Sequence, residues 1–353
     1  MTRICILVDP PYKAYYGDAF FDNGNPILNR DGSLEANARL REKLANEGKE
    51  IHTADFFQQG ANEKTASLSY KYYSFGMLGN FEKWADLQNV SLEAFLIMEP
   101  PVVAPQLYRA LPKLTKYFKR VYVHNTHGDG YSLKGVDVSK LHKLCYPMPY
   151  PDVIEPLWER LNRLQRIVVI NSNHNPLLFS LRGMSFKALG KELYSKRIEA
   201  MCSLEKQGIV DLYGRRWQEW WLPFSMWPPY WKNRRTLMDI YRGSCKSKYE
   251  VLSQYKFSLC FENMTMEGYV TEKIIDCFYA GTIPLYLGAK NIQSLIPGDA
   301  YIDCSQFESW EKLWDAVNKL SDDEIVAMKS AGRHFLKSPA GLHYYNFLEE
   351  AII

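Results

Sequence analysis

The segment FENMTMEGYVTEK, residues 261–273, gathers side chains suited to a charged, hydroxylated ligand. It follows the apolar run FSLCF and leads into IIDCFYAG, where Ile274, Ile275 and Phe278 share one helical face and Gly281 supplies a stop. Thr271 suits the N-cap of that helix, which sets Glu272 and Lys273 in its first turn. Glu272 complements the partial positive charge of a helix start, whereas Lys273 is repelled by it. Backbone N–H groups at a helix N-terminus form an anion site, and a diphosphate seated there would turn Lys273 into an attracted partner; without one, Lys273 is an exposed lysine at a mildly unfavourable place. Glu272 either accepts hydrogen bonds from ribose hydroxyls, as acidic residues do in nucleotide folds, or simply answers the dipole. Tyr269 offers a ring face and a hydroxyl, and Asn263 and Thr265 bring small polar groups beside the loop. The pattern suggests a nucleotide and does not name it.

A second chemistry is proton removal. In LIMEPP, Glu99 ends an apolar run before Pro100 and Pro101, where partial burial would raise a carboxylate toward the pKa of a useful general base. A structural cap or ion-paired carboxylate reads the same way. His124, His127 and Asp129 in VHNTHGDG are reserve candidates. Their H-x-x-H-x-D spacing could hold a metal, but adjacent glycines and the missing fourth ligand argue against one.

These groups need a scaffold, and alternating elements supply it. RICILVD (3–9) reads as a strand, SLEANARLREKLANEG (33–48) as a helix and EIHTAD (50–55) as a second strand, a βαβ unit. Its crossover carries a long insert, residues 10–32, expected over the carboxyl edge of the sheet. AFLIME (94–99) and RVYVHN (120–125) read as strands around a basic amphipathic helix near 106–118, and the proline-rich CYPMPYPDVIEP (145–156) as a boundary. RIVVIN (166–171), a helix over 187–205, IVDLYG (209–214), FSLCF, the helix at 272–280 and TIPLYLG then repeat the alternation. No internal repeat is visible in the sequence.

A chain of 353 residues, 46% hydrophobic and 24% charged, suits a globular protein of two domains. The net charge of +3 is too small for a general nucleic-acid binder, so no nucleic acid is expected as a partner. Seven scattered cysteines without a C-x-x-C pair read as reduced thiols. No signal-like h-region precedes the first strand and no apolar run reaches membrane-spanning length, so a cytoplasmic protein is expected. RRWQEWWLPFSMWPPYWKNRR (215–235) sets five tryptophans among four arginines and a lysine. That mixture suits a membrane interface or a saccharide-stacking surface, and equally an irregular insertion whose rings pack inside.

The run FSLCFENMTMEGYVTEKIIDCFYAGTIPLYLG resembles the donor-binding signature of the glycosyltransferase family 10 α-1,3/4-fucosyltransferases, in which a strand ending Phe-Glu-Asn precedes Tyr-Val-Thr-Glu-Lys, Ala-Gly and a proline strand. The likeness extends over about residues 166–305 and is weak in the N-terminal half. It implies an α/β GT-B fold of two Rossmann-like domains facing a central cleft: 1–160 for the acceptor, 161–335 for the GDP-sugar, and 336–353 packing back on the first. By resemblance, Tyr269, Glu272 and Lys273 contact the donor, Glu272 through ribose and Lys273 through phosphate, and Asn263 shapes the pocket. Arg197, in KRIEAM, matches a family arginine that pairs with the diphosphate, and Glu99 matches the base in a short Glu-Ser-Pro segment, with Pro100 in place of serine. The sequence has no Asp-x-Asp pair, the metal-holding motif of the other common glycosyltransferase architecture, so neither metal nor cofactor is expected.

The implied activity is inverting transfer of L-fucose, or a related deoxysugar, from GDP-fucose to a glycan hydroxyl. An α-1,3/4 linkage on a surface polysaccharide or lipopolysaccharide is expected, with peripheral contact at the inner membrane through 215–235. A GT-B transferase for another nucleotide sugar, or a non-catalytic nucleotide- or glycan-binding protein of that fold, remain alternatives.

Overall fold

Two parallel sheets organise the chain in a computed structural model, which describes residues 3–56, 68–173, 191–219 and 228–353. The chain divides into two compact units, Met1–Tyr150 with His343–Ile353, and Pro151–Leu342.

In the first unit, β1 (Arg3–Asp9), β2 (Glu50–Thr53), β3 (Leu68–Ser74), β4 (Val90–Leu96), β5 (Arg120–Val123) and β6 (Leu141–Lys143) pair in the order β2-β1-β3-β4-β5-β6. Cys5 to Val8 are all buried, as expected of a parallel strand covered on both faces. Sequence alternation anticipated β1, β2, β5 and the helix Glu35–Asn46, but not β3. LSYKYYS interleaves serine and lysine with tyrosines and looks half polar, yet Tyr70, Tyr72 and Tyr73 are fully buried and the strand pairs with β1 along its whole length. The helix expected near 106–118 is two short helices, Pro105–Arg109 and Leu111–Tyr117. Pro112 cannot donate to the ladder of a continuous helix and is tolerated in the first turn of a new one.

The insert after β1 is fastened at the carboxyl ends of β1 and β2. The Tyr16 hydroxyl donates to Asp9 at 2.8 Å, Asp18 accepts the Thr53 amide at 2.8 Å, and Gly17 donates its amide to Asp55 at 3.0 Å. The C-terminal residues complete this unit: the Tyr73 hydroxyl donates to the Ile352 carbonyl at 2.8 Å, and Arg39 pairs with Glu349 at 2.9 Å while lying over the Tyr345 ring.

In the second unit, β7 (Leu164–Ile170), β8 (Val210–Tyr213), β9 (Tyr255–Phe261), β10 (Ile283–Leu287) and β11 (Ile302–Asp303) pair in the order β11-β10-β9-β7-β8. The winding is that of the first unit, with the first strand between the second and third. The order therefore reverses between β1 and β3 and again between β7 and β9, and in such sheets ligands bind beyond the carboxyl ends of the strands at the reversal. Just past β8, a Cβ on Gly214 would come within 1.9 Å of the Asn171 carbonyl oxygen, so only glycine lets the ends of β7 and β8 approach. All seven cysteines are free thiols.

The aromatic-basic stretch divides. Trp217 is buried, its Nε1 donating to the Asn171 carbonyl at 2.7 Å. Trp231 is 46% exposed on the helix Pro228–Ile240, beside exposed Lys232, Arg234 and Arg235. Trp220, Trp221 and Trp227 lie outside the described residues. Among the described residues, no helix is long and apolar enough to cross a membrane.

Candidate functional site

β9 delivers Glu262 one residue beyond its carboxyl end, where the Glu262 amide donates to the Leu287 carbonyl at the end of β10 at 2.9 Å. This carboxylate is 0% exposed. Its Oε1 accepts the Thr271 amide at 2.8 Å; its Oε2 accepts the Thr271 hydroxyl at 2.8 Å and the Lys273 ammonium at 3.1 Å. The ammonium also donates to Thr271 Oγ1 at 2.8 Å and stands 3.5 Å from Glu272. A cation at the positive end of a helix is thus reconciled by a buried counterion. Burial alone would push the ammonium down, but Glu262, and after it Glu272, overcome that and hold Lys273 above its ordinary pKa.

The helix Glu272–Ala280 begins after Thr271 and ends at Gly281 in a left-handed conformation. It is more deeply set than a single apolar face implies, since every residue from Ile274 to Ala280 is buried. Thr271 occupies the N-cap, but its hydroxyl turns to Glu262 and makes no cap to the helix amides. Glu272 is 36% exposed; burial raises its pKa, yet Lys273 and Lys248 pull it below the ordinary value, which keeps it an anionic acceptor open to a ligand. One turn further, Asp276 is buried against Lys248 at 2.7 Å, and burial pushes its carboxyl up to about 7 although Lys248 opposes the shift.

Arg197 reaches this turn from the helix Tyr194–Glu205. At 3% exposure, its Nη2 donates to the carbonyls of Phe261 at 2.6 Å and Glu262 at 3.1 Å. Burial pushes its pKa down, against the pull of Tyr194 and Glu262. These contacts brace the end of β9. Asn263 is half-buried, its carbonyl accepting the Leu193 amide at 3.1 Å. Tyr269 is 1% exposed, which corrects the expectation of an available ring face. The reason is local, because Met266 and Val270 are also buried and draw the loop into the interior.

The first unit holds the remaining candidates. β4 ends at Leu96, three residues short of Glu99, and the chain carries Glu99 out to an exposed position, so the partial burial expected of it is not found. Its carbonyl accepts the Tyr108 hydroxyl at 3.1 Å. His124 is buried, with Nε2 donating to the Met98 carbonyl at 2.9 Å, while His127 is exposed. Asn125 organises that loop by accepting the amides of Gly128 at 3.1 Å and Asp129 at 3.0 Å.

Residues 189–329 match the family described as Glycosyltransferase family 10 (fucosyltransferase) C-term. The chain carries a family 10 glycosyltransferase domain. Relatives agree: an alpha-(1,4)-fucosyltransferase of Arabidopsis thaliana is 42% identical over 75 residues, covering 21% of this chain and 19% of that protein. An alpha-(1,3)-fucosyltransferase of Helicobacter pylori is 41% identical over 75 residues, 21% of this chain and 16% of that one. These matches span less than a fifth of either relative. The crystal structure of an alpha1,3-fucosyltransferase with GDP superposes over 99% of this chain and 90% of that one, with TM-score 0.52 and 13% identity. A second alpha1,3-fucosyltransferase structure gives TM-score 0.54 at 14% identity, over 100% and 91% of the two chains. At such identity the likeness is one of fold, and the fold is GT-B.

The family 10 domain contains Arg197, Asn263, Tyr269, Glu272 and Lys273; Glu99 lies outside the matched residues. Two acidic residues of that domain, Glu262 and Asp276, have no role in the reading from sequence, Glu262 entering it only as a letter of Phe-Glu-Asn. Each had a signal: an acid directly after an apolar strand, and an acid four residues beyond Glu272 on an otherwise apolar helix.

Proposed function

We propose that this chain transfers L-fucose from GDP-fucose to a glycan hydroxyl, with inversion at the sugar carbon and an α-1,3 or α-1,4 linkage. The observation that carries the reading is the Lys273 ammonium, held cationic among Glu262, Thr271 and Glu272 at a helix start, inside the residues matched to family 10. The acceptor oxygen bonds to the sugar carbon as the bond from that carbon to the diphosphate breaks. The acceptor proton passes to Glu99, whose exposed carboxylate is accessible to a hydroxyl. Charge growing on GDP meets Lys273 and the first amides of the helix Glu272–Ala280, with Arg197 contributing from behind the Phe261–Glu262 turn. Glu272 receives the ribose hydroxyls and Asn263 borders them. Neither metal nor cofactor takes part in this scheme.

The acceptor is a surface polysaccharide or lipopolysaccharide glycan, met at the cytoplasmic face of the inner membrane. Exposed Trp231, with Lys232, Arg234 and Arg235 on one helix, supports that placement. The test is incubation of GDP-fucose with a glycan array, with and without EDTA, followed by mass spectrometry of products. Acceptor-dependent GDP release and a fucosylated product, unchanged by EDTA, are expected. Turnover of a UDP- or dTDP-sugar instead would overturn the donor assignment, manganese-restored activity the metal-free scheme, and GDP binding without turnover the enzymatic reading.

A further inference from the structure

We infer that Glu262 is a positioning residue for sugar transfer: its buried carboxylate, bonded to Lys273 directly and through Thr271, aims the ammonium at the departing diphosphate. The inference rests on the donor reading given above. A carboxylate with no solvent exposure is tolerable only when its oxygens are bonded, and here three donors converge on it: an amide, a hydroxyl and an ammonium.

The carboxylate is itself immobile. Its backbone amide is paired to β10, its carbonyl is held by Arg197, and its stem lies against Gly288, where an added Cβ would come within 2.5 Å of Glu262 Cγ. Rigidity passes outward through Thr271. A threonine at an N-cap ordinarily spends its hydroxyl on the helix amides, but this one donates to Glu262 and accepts from Lys273. The arrangement therefore leaves the cap to fix the lysine.

A lysine side chain is a flexible four-carbon stem bearing three donors. Glu262 and Thr271 engage two of them, Glu272 stands 3.5 Å from the nitrogen, and the side chain as a whole stays 19% exposed, so the ammonium is held in place yet reachable by a ligand. A charge held in one place before reaction acts on the leaving group without reorganising. Glu262 touches no part of a donor and acts only through Lys273.

The deciding experiment is a double-mutant cycle on kcat and donor KM for GDP-fucose, using Glu262→Gln, Lys273→Ala and the pair, with thermal unfolding recorded for each. Glu262→Gln is expected to lower kcat about tenfold to a hundredfold, as misplacement of a reacting partner does, with donor KM changed less than about threefold. In the Lys273→Ala background the same substitution should have no further effect. Independent, multiplying losses would overturn the inference, as would a Glu262→Gln kcat within about twofold of the parent. If Glu262→Gln does not fold, Thr271→Val, which removes the hydroxyl bridge at nearly constant volume and leaves the direct Glu262–Lys273 pair at 3.1 Å, carries the same cycle for the bridged part of the link. If the parent shows no turnover of GDP-fucose, the donor reading has failed, and the cycle is run on GDP affinity by calorimetry. There an effect of Glu262→Gln that vanishes beside Lys273→Ala supports the link to Lys273, and one that persists overturns it.

Discussion

Lys273 meets a buried carboxylate, a hydroxyl and a second acid within 3.5 Å, so its removal should be felt as loss of a charge-assisted contact to the donor. Such contacts are worth roughly 1.5–3 kcal/mol, so Lys273→Ala should weaken GDP binding about tenfold to a hundredfold, read by calorimetry on a folded variant. Unchanged affinity would remove Lys273 from the site. Glu99→Gln tests the other unit: turnover should fall by about 10² to 10⁴ while GDP affinity stays near that of the parent. Near-normal turnover would pass the role of base to Asp129 or His127. Letters in the sequence made Lys273, Glu272 and the helix start legible, because a cap, a dipole and a stop are all local signals. The counterion was not legible. Glu262 stands eleven positions from Lys273, and only the return of the loop onto β9 brings them together.

Helices and strands were read best where the pattern matched burial. β1 and the helix Glu272–Ala280 follow the expected residues closely, whereas β3 was hidden because buried tyrosines alternate with polar letters. Burial of the helix from Ile274 to Ala280 has a consequence for acid stability through Asp276. The native state keeps a proton on this carboxyl up to about 7, while an unfolded aspartate loses it near its ordinary value of 3.8. Across that window the native chain binds more protons than the unfolded one, so this residue makes stability fall as pH rises. Asp276→Asn should remove the fall: its melting temperature relative to the parent should climb between pH 5 and pH 7.5, by roughly 2–4 °C per kcal/mol. A difference that stays flat with pH would show that Asp276 is ionised throughout, neutralised by Lys248.

At the scale of the molecule, both sheets wind in the same order although no repeat is visible in the letters. Strand order is set by pairing between distant segments, to which a local pattern is blind. The exposed group of Trp231, Lys232, Arg234 and Arg235 also speaks at this scale. If it meets anionic lipid, each cation contributes about 1 kcal/mol, so replacing Trp231, Arg234 and Arg235 with serine should cut sedimentation with phosphatidylserine vesicles about tenfold or more. Turnover on a soluble acceptor should survive, and unaltered sedimentation would dismiss the contact.

The first unit also spans the sequence unevenly, since Glu349 and Ile352 answer Arg39 and Tyr73 across the whole of residues 151–342. On a ribosome, those intervening residues emerge first, at about 5–20 per second, which takes roughly 10–40 seconds. The second unit thus has its full complement of strands while the first still lacks its last helix. A chain ended at residue 342 and released should accordingly hold a protected second unit beside a first unit that proteases still cut, a vectorial order of maturation opposite to the order of translation.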